Sequence, residues 1–421
     1  MEKLSSKKRK KDSKSKTQNK LTMQKIRSSF KGNMNSLEIF IKNVAPIAEE
    51  QDTSFFHQIE EILERTLNIS PDKKTKIKKS ATTHKKGAKK FDNAQISKFL
   101  QEMSKLPRLS TTQLELLYRS SFVMMISYLD FLISDLIHLY YNMYPDILSG
   151  KELGITLSEL KEFGGVDDAV NYVINKEADN VLYESLDKQK DYFISRLKID
   201  TKDKLINWDI IKEATERRNI IVHNNCKINR RYLAKIDELT FPGKKTSYKE
   251  GEDVHVNEEY FQLCFKEICI SGLIFLQSCW QKWVPTERSD AEQSLLKDIY
   301  DALVNEDWIC AERLGLYAKE VKVRDQKTRL MLDVNYCQSL KWQGRNKDLE
   351  KEIQEFDISA LSPIFKLAIH TLRSDRKRFY PEVKNAISVD KMDEKMFMEW
   401  PLFRELRKDP KYLTNIHAAF S

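Results

Sequence analysis

Glycine and proline are scarce: 11 and 10 of 421 residues. Few chain breakers and many long charged side chains favour helices over sheet. No run of alternating apolar and polar residues bounded by turn signals is present, which excludes a sheet-based core and makes the expected fold class all-α. No Cys-x-x-Cys pair occurs. The six cysteines, Cys226, Cys264, Cys269, Cys279, Cys310 and Cys337, form no zinc-spaced set with the seven histidines. No metal and no cofactor is therefore expected, and reduced core thiols point to a reducing, cytoplasmic compartment. The charged N-terminus is followed by no apolar signal core, which argues against secretion. Two apolar stretches reach membrane-spanning length. Phe122–Tyr141 contains Asp130, Asp135 and His138, and Phe261–Trp280 contains Lys266 and Glu267. Ionisable groups in mid-span cost a few kcal/mol each in lipid, so both read as buried helices and no membrane partner is expected.

What the chain has in excess is positive charge, unevenly placed. The formal net charge is +9; residues 1–20 hold nine Lys/Arg against two acids, and residues 71–90 hold nine Lys against one. Those segments carry +7 and +8, which leaves −6 for the remainder. The body is mildly acidic and the basic character sits in two low-complexity segments, either solvated tails or non-specific, salt-dependent binders of polyanions.

Composition divides the chain into five parts: a basic disordered tail at 1–34, a short helical segment at 35–70, a basic linker at 71–92, a helical bundle at 93–286 and a helical-repeat region at 290–421. In the second part Leu37, Phe40, Ile41 and Val44, then Phe55, Phe56, Ile59, Ile62 and Leu63, recur at helical spacing. In the bundle, Pro107 is expected to end a first helix lined by Ile96, Phe99, Leu100 and Met103. Thr111 or Thr112 would cap the next. From Gln113 to Tyr144 no glycine or proline interrupts, which permits one helix about 45 Å long. Along it Ser127, Asp130, Ser134 and His138 form a polar stripe, either the solvent face or the lining of a site. A second long helix is expected over 258–284, closed by Pro285. After Asp290 the chain reads as three helix pairs turning at Asn305-Glu306, Gly344-Arg345 and Ser374-Asp375, near the period of tetratricopeptide-type repeats. Such pairs stack and commonly hold a protein partner.

Between the two long helices stands Arg217-Arg218-Asn219-Ile220-Ile221-Val222-His223-Asn224-Asn225. Arginine supplies a permanent forked cation that fits a phosphate, and histidine gives or takes a proton near neutral pH. RNA carries its own nucleophile, the 2′-hydroxyl. Its cleavage without a metal needs a base for that hydroxyl, an acid for the leaving 5′-oxygen and a cation on the phosphate. A two-fold pair of such motifs provides them. Arg218 and His223, five residues apart, would lie about 140° apart on a helix, whereas Asn219 and His223 share a face. Either Asn219 orients the imidazole while Arg218 reaches round, or the motif begins in a loop. An Arg-x4-His pair arises by chance about once in three chains of this composition, so the spacing alone also fits an ordinary helical histidine.

The flanks add to this. Arg218-Asn219-Ile220-Ile221-Val222-His223 resembles the Arg-polar-x3-His motif of the HEPN superfamily. Val222-His223-Asn224-Asn225 followed by Tyr232 is similar to the continuation in its RiboL-PSP-HEPN branch. Ser127-Tyr128-Leu129-Asp130-Phe131-Leu132 resembles that branch's first long helix, and Glu258-Glu259-Tyr260 through Trp283 its closing helix. Where the branch often has glycine, this chain has Cys226. The likeness spans about 95–286. It implies a HEPN-type bundle, dimerising across the motif, followed by the tetratricopeptide-like region. It further implies a metal-independent endoribonuclease leaving 2′,3′-cyclic phosphate and 5′-hydroxyl ends, with host or phage RNA, including tRNA, as substrate. Many relatives are toxins or effectors of bacterial antiviral defence. The catalytic residues would be His223, Arg218 and Asn219, with Asp130, Arg217, Asn224 and Asn225 contacting substrate. The alternative is a non-catalytic scaffold of the same fold for dimerisation or nucleotide and RNA binding.

Overall fold

A computed structural model describes residues 21–69, 92–148, 155–244 and 248–421. The basic segments 1–20 and 71–90 lie outside the described residues. Among those described, every extended element is a helix; the one strand-like feature is an isolated antiparallel bridge between Lys227 and Asp253.

The first helix, α1 (Met23–Leu67), is 45 residues long and begins inside the stretch expected to be a disordered tail. Its buried residues explain the earlier start. Met23, Ile26, Phe30, Met34, Leu37 and Ile41 recur every three or four positions, so the apolar stripe extends well upstream of residue 35. Pro46 sits within α1 on the exposed side, as does Lys42, whose carbonyl it cannot bond. The helix α2 (Asn93–Met103) stops four residues before Pro107 and starts in a capping box between Asp92 and Gln95. Then comes α3 (Gln113–Met143), 31 unbroken residues as its composition implied. Thr112 Oγ1 accepts the Glu115 N–H at 3.2 Å, and the Asp52 carboxylate accepts the N–H groups of Gln113 and Leu114 at 2.7 and 2.9 Å. Three of the free amides at this helix start are thereby satisfied. The helices α4 (Leu157–Glu162), α5 (Val166–Tyr183), α6 (Leu186–Ser195), α7 (Trp208–His223), α8 (Arg230–Ile236) and α9 (Glu258–Trp283) follow. By length and composition α3 and α9 could each cross a membrane; half of the most apolar window of α3 and 78% of that of α9 are buried within the protein.

The chain divides into two compact units. One comprises 28–131 and 209–265; the other comprises residues up to Arg27, 132–208 and 266–421. In the latter, the buried Arg27 guanidinium pairs with Asp298, its Nε 3.0 Å from Oδ2. Here too are α10 (Arg288–Val304), α11 (Trp308–Glu320), α12 (Gln326–Trp342), α13 (Asn346–Gln354), α14 (Pro363–Leu372) and α15 (Arg376–Asp390). They pair as the sequence spacing implied. Each of the three turns uses one left-handed residue, Glu306 (φ 59°), Gly344 (φ 72°) and Ser374 (φ 57°). Each is closed by the same backbone bond, from Asp307, Arg345 and Asp375 to the carbonyls of Ala302, Leu340 and His370, at 2.9, 3.0 and 2.8 Å. Between α11 and α12 a Cβ on Gly315 would meet the Tyr336 ring at 2.8 Å, so only glycine lets these helices approach so closely. Helices α16 (Glu394–Glu399) and α17 (Lys411–Phe420) complete the unit. Between them Pro401, Leu402 and Phe403 are buried, with Phe403 stacked on Phe397 at 5.7 Å. All six cysteines are free thiols.

Candidate functional site

The focal residues lie in the unit formed by 28–131 and 209–265. Helix α7 is continuous from Trp208 to His223, so the motif does not begin in a loop. Arg218 and His223 therefore point about 140° apart around one rod. The helix ends immediately after His223. The Ile220 carbonyl accepts from the N–H groups of Asn224 (3.0 Å) and Cys226 (3.2 Å) while Asn225 and Cys226 take left-handed φ values of 47° and 63°. Two successive left-handed residues thus fold the chain back so that one carbonyl takes both bonds. Asparagine tolerates that conformation; cysteine does so less readily, at a position where the resembled branch often places glycine. The chain then runs beside 251–254: Val254 N–H donates to the Cys226 carbonyl and Ile228 N–H to that of Glu252, both at 2.8 Å.

Around this helix end the site residues sort into three groups. Arg218 reaches α3, where its Nη2 lies 3.1 Å from the Asp130 Oδ2; both side chains are about a quarter exposed. The Arg218 Nε is buried without an acceptor. Burial pushes the Asp130 carboxyl up to about 6, and the neighbouring Arg218 only partly opposes this. His223 is exposed, and its ring makes no hydrogen bond among the described residues. The Asn219 side chain makes none either, so the expected Asn219–His223 bond is not formed.

Arg217 belongs elsewhere. It was expected to touch substrate, yet it is 6% exposed and turned inward against Glu213, which is 1% exposed. Its Nε donates to Glu213 Oε1 at 2.8 Å and its Nη1 to the His255 carbonyl at 2.7 Å. The guanidinium carbon sits 4.0 Å from the centre of the Tyr260 ring. Both Glu213 oxygens also accept tyrosine hydroxyls, Tyr232 at 2.5 Å and Tyr260. Burial works against the charge on Arg217, but Tyr260 and Glu213 outweigh it and raise its pKa. This buried cluster ties α7 to α8 and α9 and so sets the rotation of α7 that presents Arg218 and His223. Asn224 is likewise structural: its side-chain amide donates to the Lys227 carbonyl and closes the turn. Asn225 supplies the turn's backbone conformation, and its side chain is exposed.

Sequence alone did not single out Glu213 and Tyr260. The signal for Glu213 was present: an acid four residues before Arg217 on one helix face, among the apolar Ile210, Ile211 and Ala214. Tyr260 carried no such signal, because its contact with Arg217 spans two distant helices.

Along its length α3 exposes Leu116, Met124 and Phe131, which fall within about 80° of one another around the helix, and α7 exposes Val222. A second polar cluster lies at the start of α3. There Glu115 receives His255 Nδ1 at 3.0 Å, Arg119 Nη2 at 2.5 Å and Thr111 Oγ1 at 2.9 Å. Among the described residues no group of three or more His, Cys, Asp or Glu side chains is placed to hold a metal ion. No protein-family model, no curated protein and no solved structure matches the chain.

Proposed function

We propose that this protein is an endoribonuclease that cleaves RNA by attack of the substrate's own 2′-hydroxyl, leaving 2′,3′-cyclic phosphate and 5′-hydroxyl ends. One observation carries the reading: a single helix presents an unengaged His223 at its end and, about one and a half turns earlier, Arg218 held at 3.1 Å by the largely buried Asp130. Arg218 would bind the scissile phosphate, with Asp130 as the counter-charge that the phosphate displaces. His223 would move the protons. Because the 2′-hydroxyl supplies the nucleophile, the step needs an acid, a base and a cation and no metal-bound water. One His223 cannot flank both the attacking and the leaving oxygen, and Arg218 points away from it around α7. The mechanism therefore pairs two copies of the motif across a two-fold axis. The exposed Leu116, Met124, Phe131 and Val222 are an apolar surface suited to that contact.

The protein would be a HEPN-type ribonuclease acting in the cytoplasm, consistent with six free thiols. Its role would be that of a toxin or antiviral effector on host or phage RNA, tRNA included. The C-terminal helix pairs would hold a protein partner; a cavity of about 890 Å³ between them is lined by Lys327, Arg329, Asp333, Glu355 and Phe356. A second reading is a non-catalytic scaffold that binds nucleotide or RNA. It is favoured by the engagement of Arg218 with Asp130 and by the missing Asn219–His223 bond. End-group analysis separates the two. Single-stranded RNA incubated with the purified protein in EDTA is expected to yield fragments with cyclic phosphate and 5′-hydroxyl ends. Fragments with 5′-phosphate ends, or none at all, would remove the ribonuclease reading.

A further inference from the structure

Two arginine–aspartate pairs in this protein use the cation differently. Arg27 gives Asp298 the whole of one guanidinium edge: its Nε donates to Oδ2 at 3.0 Å and its Nη2 donates to Oδ1. Both donors of that edge are taken, and both side chains are buried. Arg218 turns the same edge to Asp130, within the unit that carries the motif, and only half of it is used. Its Nη2 donates to Oδ2 at 3.1 Å, while its Nε is buried with no hydrogen-bond partner.

The two donors of one guanidinium edge are spaced for two oxygens of a single carboxylate or phosphate. Charge-assisted bonds of this kind run to about 2.7–2.9 Å, so the contact with Asp130 is long as well as single. A buried N–H without an acceptor carries a free-energy cost. Asp130 is no better served, since burial lifts its carboxyl to about 6 with the cation beside it. An aspartate that clamped Arg218 for structure alone would take both donors, as Asp298 does. The edge is instead half-covered, and a ligand with two oxygens gains a bond that Asp130 does not make. The two non-bridging oxygens of a phosphodiester meet that requirement.

We propose that Asp130 masks the phosphate-binding edge of Arg218, holding the guanidinium by Nη2 alone until the non-bridging oxygens of an RNA phosphodiester take Nε and Nη2 together. Asp130 thereby weakens RNA binding in the resting protein and sets the affinity that a phosphate must exceed to engage the site. The inference rests on the ribonuclease reading only in taking Arg218 as the phosphate-binding group.

Fluorescence anisotropy with a labelled 2′-O-methyl RNA oligonucleotide tests this. Its blocked 2′-oxygen prevents cleavage, so binding is read whether or not the protein is a ribonuclease. Asp130→Asn keeps the shape of the side chain and removes a charge that burial opposes, so the variant folds as the parent does. It is expected to bind about fivefold more tightly than the parent. In an Arg218→Ala background the same substitution should change affinity by less than about twofold, because no edge is left to unmask. Three results would overturn the inference. Neither the parent nor Asp130→Asn binds; Asp130→Asn binds no more tightly than the parent, which would make Asp130 a support for Arg218; or the gain persists without Arg218, which would make it a general effect of charge. Should the expected pattern appear while cleavage yields no cyclic phosphate ends, the mask stands and the ribonuclease reading falls.

Discussion

The Arg218 guanidinium lies 3.1 Å from the Asp130 carboxylate, joining α7 to α3 at a point where both side chains are three-quarters withdrawn from water. The pair is unequal. Burial lifts the Asp130 pKa from its ordinary 3.8 to about 6 despite the neighbouring cation. The folded state thus binds the Asp130 proton more tightly than the unfolded chain does. Its contribution to stability is complete below about pH 3.8 and is lost as the pH rises through about 6. Asp130→Asn, which mimics the protonated side chain, is expected to match the parent in urea unfolding near pH 4 and to exceed it at pH 7.5. A gap that does not change between those pH values would contradict the assigned cause.

Arg217 and Arg218 are adjacent, and their substitutions should part company. Arg217 neutralises the buried Glu213, so Arg217→Ala leaves a charge without its partner and is expected to cost about 3–5 kcal/mol in denaturant unfolding. Arg218→Ala removes a side chain whose partner Asp130 keeps some access to solvent and can take up a proton, and should cost less than Arg217→Ala while abolishing RNA cleavage. Equal destabilisation by both would mean that Arg218 is structural too.

At the start of α3, Asp52 accepts two backbone amides from 61 and 62 residues away. Asp52→Ala frees both and is expected to lower stability by about 1–2 kcal/mol, measured by urea denaturation. The effect should also appear as faster amide exchange at Gln113 and Leu114. Unchanged exchange there would place the cost elsewhere.

The apolar face of α3 and α7 is expected to hold two copies together. Met124→Asp with Phe131→Asp should convert a dimer to a monomer by light scattering at micromolar concentration, with the melting temperature little changed because both side chains are exposed. A parent that is already monomeric would sink the two-copy mechanism.

The parts of the fold legible in the sequence were those set by local pattern. The extents of α3 and α9, and the three turns at Glu306, Gly344 and Ser374, followed from where glycine, proline and apolar spacing fall. The start of α1 was misplaced because its charged, serine-rich surroundings hid the stripe of Met23, Ile26 and Phe30. One consequence is practical. Removing residues 1–90 to test the basic segments would also remove the buried face of α1, so changing the nine lysines of 71–90 to glutamine is the cleaner experiment. If they bind RNA, the log–log salt slope of binding should fall by about 0.7 for each phosphate they no longer neutralise. Within the site, the pairing of Arg218 with Asp130 was foreshadowed by the polar stripe on α3. The burial of Arg217 was not, because two adjacent arginines look alike until packing decides which one faces Glu213 and Tyr260.

Central to the proposed mechanism is His223 as the group that moves the protons in RNA cleavage. Its most direct test is the single-turnover rate on a labelled single-stranded RNA in EDTA, for the parent and for His223→Ala. His223 is exposed and makes no side-chain bond among the described residues, so the variant should fold and melt as the parent does. Its rate is expected to fall by at least about 100-fold. A His223→Ala protein that cuts as fast as the parent would contradict the mechanism.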